Sequence, residues 1–190
     1  MEKIIASGVV DGVLDATLVE IVHNMIPGGF LDAGPYRLET AGRLGLPQVV
    51  SLGGLDVLCF GPLSALPAEY RTRALFENNA NYAGVRTSQE ECTHVGEIIA
   101  AKLNKSRGPV TLFIPRGGLS IISTPGKVFE DEAADKCLFQ SLRNNIDPKV
   151  VRLIERDENI NDPRFAEVLV DALHEYLKDK LLTNTSTDEH

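Results

Sequence analysis

The segment PVTLFIP, residues 109–115, is apolar on both of the faces a strand would present. Side chains along a strand point alternately to opposite sides. A run with no polar face must therefore be covered on both sides, as in a parallel sheet with helices above and below. Residues 9–14, 48–52 and 150–154 read as further strands. Between them apolar residues recur at helical spacing. Helices are expected at 1–6, 18–26, 36–44, from Ser88 through Leu103, 130–144 and 163–181. Strands alternating with amphipathic helices predict an α/β chain, a Rossmann-like three-layer fold with a mainly parallel sheet. In such folds ligands sit beyond the carboxyl ends of the strands.

Local signals support several boundaries. Ser88 and Glu91 have capping-box spacing, and Cys92, Val95, Ile99 and Leu103 follow on one face. Asp162 reads as the cap of the last helix, with Pro163 at its first position. Pro35 sits in the first turn of the helix expected at 36–44, and Gly45 follows its end. Residues 55–82 lack clear periodicity, with a short helix expected at 68–72, and read either as a functional loop or as a surface excursion. The domain is expected to span 1–182, with a polar, flexible tail at 183–190.

Composition restricts function more than it assigns it. The net charge of -8 argues against an extended nucleic-acid interface, which needs clustered Lys and Arg, although a local basic spot can still take a small anion. No apolar run is long enough to span a membrane, and the first residues lack the pattern of a secretory signal. Three cysteines without a C-x-x-C pair fit a reducing, cytoplasmic setting. Cys92 and His94, two apart on a helix, face different ways and make a poor metal pair, and no metal site is expected.

Three stretches carry candidate ligand groups. Asp15, Thr17 and Glu20 lie between a strand and a helix; Asp15 is suited to a ribose hydroxyl or to holding a base, while the plainer reading has it bonding the loop beside a Thr17 helix cap. Gly28, Gly29 and Gly34 precede a helix whose start can receive an anion, with an ordinary turn as the alternative. Gly53, Gly54 and Asp56 follow the 48–52 strand, and Arg86, Thr87, Arg116 and Ser120 lie near the other strand ends. Arg116, directly after the 109–115 strand, can serve a phosphate or carboxylate, or pair with a local acid.

The strings GVLDAT, GGFLDAGPYRLETAGRLGLPQVVSLGGLD, FGP, VRT, GEIIAAKLN, GPVTLFIP, FEDEAADKCLFQSLR and NINDPRFAE occur in this order. Over about residues 1–180 this resembles the C-terminal half of the Tm-one-like ATP-binding family, an uncharacterised family that includes the N-terminal region of the tomato mosaic virus resistance protein. The resemblance implies two tandem α/β lobes, with nucleotide binding mainly in an N-terminal lobe that would be a companion to this one. It also implies a strand and a glycine-rich loop before residues 1–6, so an open edge or apolar groove is expected near Met1. A homo-oligomer, or aggregation of the chain alone, follows from that. Asp15, Glu20, Asp56, Arg86, Thr87, Ser120, Asn161 and Asp162 match the family pattern. Asn78 and Asn159 stand where it has histidines, Leu18 and Val19 where it has threonines, and Ser123 where it has an aspartate. Asn cannot exchange a proton near neutral pH, so these departures weaken a catalytic role more than a binding one.

The resulting expectation is a lobe that binds a small, anionic, phosphorylated molecule, a nucleotide among the options, with no reaction assigned. An enzyme using Asp15, Glu20 and Arg86 on a small phosphorylated or carboxylated substrate is the first alternative. A degenerate relative acting through protein contacts is the second. One cleft lined by Asp15, Gly53, Asp56, Arg86, Arg116 and Ser120 is expected.

Overall fold

In the computed structural model, which describes residues 1–26 and 31–185, the elements run α1 (Glu2–Ala6), β1 (Val13–Thr17), α2 (Val19–His23), α3 (Thr40–Leu44), β2 (Gln48–Gly53) and β3 (Val57–Phe60), then β4 (Leu75–Asn79), β5 (Tyr82–Arg86), α4 (Gln89–Leu103), β6 (Val110–Pro115), α5 (Glu132–Asn145), β7 (Val151–Arg156) and α6 (Pro163–Thr185). The main sheet has the order β1-β2-β6-β7, and every pairing is parallel. All residues of β2 and β6 are buried, as a strand without a polar face requires.

The two faces of this sheet have separate cores. Val50, Leu52, Leu112 and Ile114 pack with Ile21 of α2, Ile99 of α4 and Leu138 of α5. Val49 and Phe113 point the other way, against Phe165 and Leu169 of α6, with the Phe113 and Phe165 rings edge to face at 6.2 Å. Each such buried side chain contributes about 1.5–3 kcal/mol before chain entropy opposes it. The three layers follow from connection handedness. β1, β2, β6 and β7 are added in sequence order, so right-handed crossovers put their helices on one face. Only α6, after the last strand, closes the other.

This sequential order has no reversal, so no topological switch point singles out a ligand crevice within the described sheet.

Four sequence-based expectations shift. The first strand is Val13–Thr17 rather than 9–14. Gly8 takes a left-handed φ of 78°, and Gly12 lets Leu173 and Pro47 approach to where a Cβ would lie within 3.0–3.3 Å. Asp15 and Thr17 are therefore on the strand, not after it. The helix expected at 36–44 is reduced to α3, because Leu38 is left-handed at φ 72°. Residues 55–82 hold β3 and β4 of the antiparallel sheet β3-β5-β4, with 3-10 turns at Leu63–Ala65 and at Ala68–Tyr70, the latter in place of the helix expected at 68–72. α6 continues through Thr185, and residues 186–190 lie outside the described residues. Gly45 caps α3 at φ 73°, and the Ser88–Glu91 capping box forms in full.

Candidate functional site

The carboxyl ends of β2, β6 and β7 are tied together by backbone. Gly54 N–H donates to Leu119 O, Gly117 N–H to Glu158 O, and Ile160 N–H to Gly118 O. Gly117 is required for this approach: a Cβ there would lie 2.6 Å from Asp157 O and 2.7 Å from Asn159 N. Gly53 sits equally close, with a Cβ 2.7 Å from Ala16 O, so β1 and β2 also meet at their ends.

Behind this junction lies a buried polar network. Ser120 Oγ donates to Asp56 Oδ2 at 2.5 Å, and Ser123 Oγ accepts from the Leu119 and Ser120 N–H groups at 3.0 Å each. Asp56 is fully buried and its Oδ1 has no partner, so burial pushes its carboxyl above the ordinary range, against the Ser120 bond. Arg86 donates to Phe129 O, Thr87 Oγ1, Asp131 O and Asp135 Oδ1, the last at 2.6 Å. The Thr87 hydroxyl in turn donates to Leu55 O, fixing the loop that carries Asp56. Burial pushes the Asp135 carboxyl up to about 6, against the opposing pull of Arg86.

Asp135 opens onto a cavity of about 530 Å³ between the 116–118 turn and α5. Arg116, Lys136 and Arg143 also line it, with Ser123 and Phe139 deeper in the wall. The cations are held by partly or largely exposed acids: Arg116 by Asp157, Lys136 by Glu132, and Arg143 by Glu155. Exposed pairs such as Arg116–Asp157 and Lys136–Glu132 are worth about 0–1 kcal/mol, so these cations can turn to a ligand at small cost, whereas Arg143 is held in a bidentate pair with the half-buried Glu155 at 2.7 and 2.8 Å. The N–H groups of Gly117, Leu119 and Ser120 are already used within the protein, so an anion here would meet side chains rather than a backbone cradle.

A second cavity, of about 520 Å³, lies at the end of β1 and gathers Asp15, Thr17 and Glu20. Its centre is Arg37, buried and bidentate to Asp15 at 2.5 and 2.9 Å, with a third bond to Thr17 O. Glu20 and Glu2 stand 3.5 and 3.8 Å from the same guanidinium, and Glu20 Oε2 is a buried oxygen without a hydrogen bond. Glu2 also accepts from Leu38 N–H and Thr40 N–H, both at 3.0 Å. The anion that meets the backbone before α3 is thus the chain's own carboxylate.

The expected site residues therefore do not line one cleft. Asp15, Thr17 and Glu20 share the β1 cavity. Arg116 belongs to the β6–β7 cavity, which Arg86 and Ser120 reach only through Asp135 and Ser123. Gly34 forms a turn, its N–H donating to Asp32 Oδ1. Gly28 and Gly29 lie outside the described residues. Asp162 caps α6, accepting from Arg164, and Asn161 N–H bonds Asn159 beside it. Sequence reasoning missed Arg37 and Asp135. A buried Asp15 calls for a cation, but nothing in the sequence says which one, and Asp135 looks like any acid in a first helical turn. Among the described residues no group of three or more His, Cys, Asp or Glu is placed to hold a metal ion, and no helix is long and apolar enough to cross a membrane.

Residues 1–177 match the family described as Uncharacterised protein family (UPF0261) C-terminal domain. The chain belongs to this family. It is 42% identical over 166 residues to the UPF0261 protein of Clostridium tetani, covering 87% of this chain and 41% of that one. A UPF0261 protein of Rhizobium meliloti is 40% identical over 173 residues, covering 90% and 43%. The ToMV resistance protein Tm-1(GCR237) of Solanum lycopersicum is 34% identical over 178 residues, covering 92% of this chain and 23% of the tomato protein. The chain thus spans less than half the length of the UPF0261 relatives named here, which are long enough to hold a companion N-terminal lobe beside the UPF0261 C-terminal domain.

Proposed function

We propose that this UPF0261 domain is a ligand-binding lobe whose β6–β7 cavity takes a small anionic molecule, a phosphorylated one such as a nucleotide included. One observation carries the reading: Arg116, Lys136 and Arg143 surround a cavity at the carboxyl ends of two parallel strands, and their partner acids Asp157, Glu132 and Glu155 are all partly or largely exposed. Rigid elements position the pocket, as ligand sites in α/β folds require. Three unpaired thiols, Cys59, Cys92 and Cys137, support a cytoplasmic setting.

Thermal shift of the 190-residue chain against nucleotides, sugar phosphates and short dicarboxylates tests this. A bound compound at 100 times its Kd stabilises by about 2.7 kcal/mol, a rise of roughly 5–11 °C in Tm. The double variant R116A/R143A is expected to weaken that compound at least about tenfold. No stabilising compound, or an undiminished response in the double variant, refutes the reading.

A companion for the free edge of β1 belongs to the same proposal. β1 pairs only with β2 in the described sheet, and exposed Met1, Ile4, Val9 and Tyr36 lie on α1 and on the segments before and after β1. Such an edge is normally covered by another lobe or by a second copy of the chain. Light scattering over a concentration series is expected to show self-association of the isolated chain; a clean monomer at high concentration removes this part.

A further inference from the structure

We propose that anion binding in the β6–β7 cavity is coupled to protonation of Asp135, so that the ligand is held by the rim cations and by a neutral carboxylic acid acting as donor. The inference rests on the ligand-binding reading above and adds how that site selects and regulates its ligand.

Asp135 is the one carboxyl of the cavity that combines substantial burial with a fixed orientation. Its side chain is 16% exposed and its Oδ1 accepts from Arg86, which is itself buried and also committed to Phe129 O, Thr87 and Asp131 O. The guanidinium therefore cannot follow a ligand, and Asp135 cannot swing away from one. The other acids on the cavity, Glu130, Glu132 and Asp157, are not confined in this way; the Asp157 side chain is 86% exposed.

The charges around Asp135 come from every element packed against it. β5 supplies Arg86, the loop after β2 supplies Asp56, and α5 with its cap supplies Asp131, Glu132, Lys136 and Arg143. The loop before α5 supplies Glu130, and the turns after β6 and β7 supply Arg116 and Asp157. Cys92 of α4 stays a neutral thiol, pushed up to about 11 by burial. Among the described residues Arg86 is the only cation bonded to Asp135, while Asp56 and Asp131 both disfavour its charge.

An anion drawn in by Arg116, Lys136 and Arg143 adds a further like charge beside Asp135. Two such charges at short range in a partly dry site repel, which favours uptake of a proton by the carboxyl. The proton comes from solvent and goes to Oδ2, since Oδ1 is occupied by Arg86. Oδ2–H then donates to an anion oxygen, a repulsion becoming a hydrogen bond. The matching ligand class is a compact oxyanion, a phosphate or carboxylate with acceptor oxygens on more than one side. In the simpler alternative, Asp135 is only the counter-ion that keeps Arg86 in place.

Sulfate is a suitable probe, because it stays fully ionised between pH 5 and 8 and any pH dependence belongs to the protein. Amide shifts of Gly117, Gly118 and Ser123 report its binding by NMR, and the Asp135 13Cγ shift reports protonation directly. Sulfate affinity is expected to rise at least about fivefold from pH 7.5 to 5.5, and saturating sulfate to move the Asp135 midpoint up by about one pH unit. D135N, which keeps an acceptor for Arg86, is expected to bind sulfate at pH 7.5 as tightly as the wild type does at 5.5, with less than about twofold pH dependence. If sulfate shifts these amides but leaves the Asp135 midpoint in place, the coupling is wrong and the ligand-binding reading stands. If sulfate and the wider anion panel both leave these amides unmoved, the ligand-binding reading fails and the coupling fails with it.

Discussion

Removing Arg37 should unfold this domain more readily than almost any other single polar change, and the structure gives the size of the effect. Arg37 is 4% exposed and is the only guanidinium within 4 Å of Asp15, Glu20 and Glu2 among the described contacts. In Arg37→Ala, Asp15, itself 4% exposed and set in an edge strand of the sheet, loses both of its hydrogen bonds and its only counter-ion. Breaking a buried pair from one side costs about 3–5 kcal/mol, because the remaining charge is left in a poorly polar environment. For a chain of this length that corresponds to roughly 6–20 °C in Tm. Asp15→Asn should cost less, since Arg37 keeps Thr17 O and its neighbours Glu20 and Glu2. The double variant should lose less than the sum of the two. Urea denaturation followed by circular dichroism measures all three. An R37A loss below about 1 kcal/mol, or losses that simply add, would show that the pair is not what holds β1 and the 34–40 turn together.

Two further outcomes follow from the packing. His23 accepts from Cys59 N–H through Nε2 and bonds Val19 O through Nδ1, and burial lowers its pKa, with Glu20 and Asp32 opposing. The unfolded chain then binds more protons, so His23 should cost stability as pH falls below about 6.5; the raised Asp135 has the opposite sign below about 6, so the contribution is read as the difference between wild type and H23Q. Equal pH slopes for the two would rule it out. Gly96→Ala should destabilise by about 1 kcal/mol despite the better helix propensity of Ala, since its Cβ would lie 2.7 Å from Ser141 Cβ; urea midpoints check this, S141G should restore part of the loss, and a more stable G96A would refute it.

How much of this could be read in advance is clear from particular residues. The 109–115 run needs cover on both faces wherever its neighbours come from, and its alternation with amphipathic helices made a parallel, helix-covered sheet legible in the sequence. Ser88 with Glu91 decided a helix start, because both partners of that cap lie within one turn. Residues 55–82 were harder: β4 ends in exposed Glu77, Asn78 and Asn79, so its strand character comes from pairing with β5 and not from an apolar face. The candidate sites divide along the same line. Asp15, Thr17 and Glu20 are near in sequence and stay together at the end of β1. Asp135 acquires its raised pKa from burial among elements distant in sequence and its ion-pair partner Arg86 from 49 residues away, and Asp15 its partner Arg37 from 22 residues away. Local order is set by neighbours along the chain, which a sequence displays. Charge and burial at a site are set by neighbours across the fold, and only the tertiary structure decides which those are.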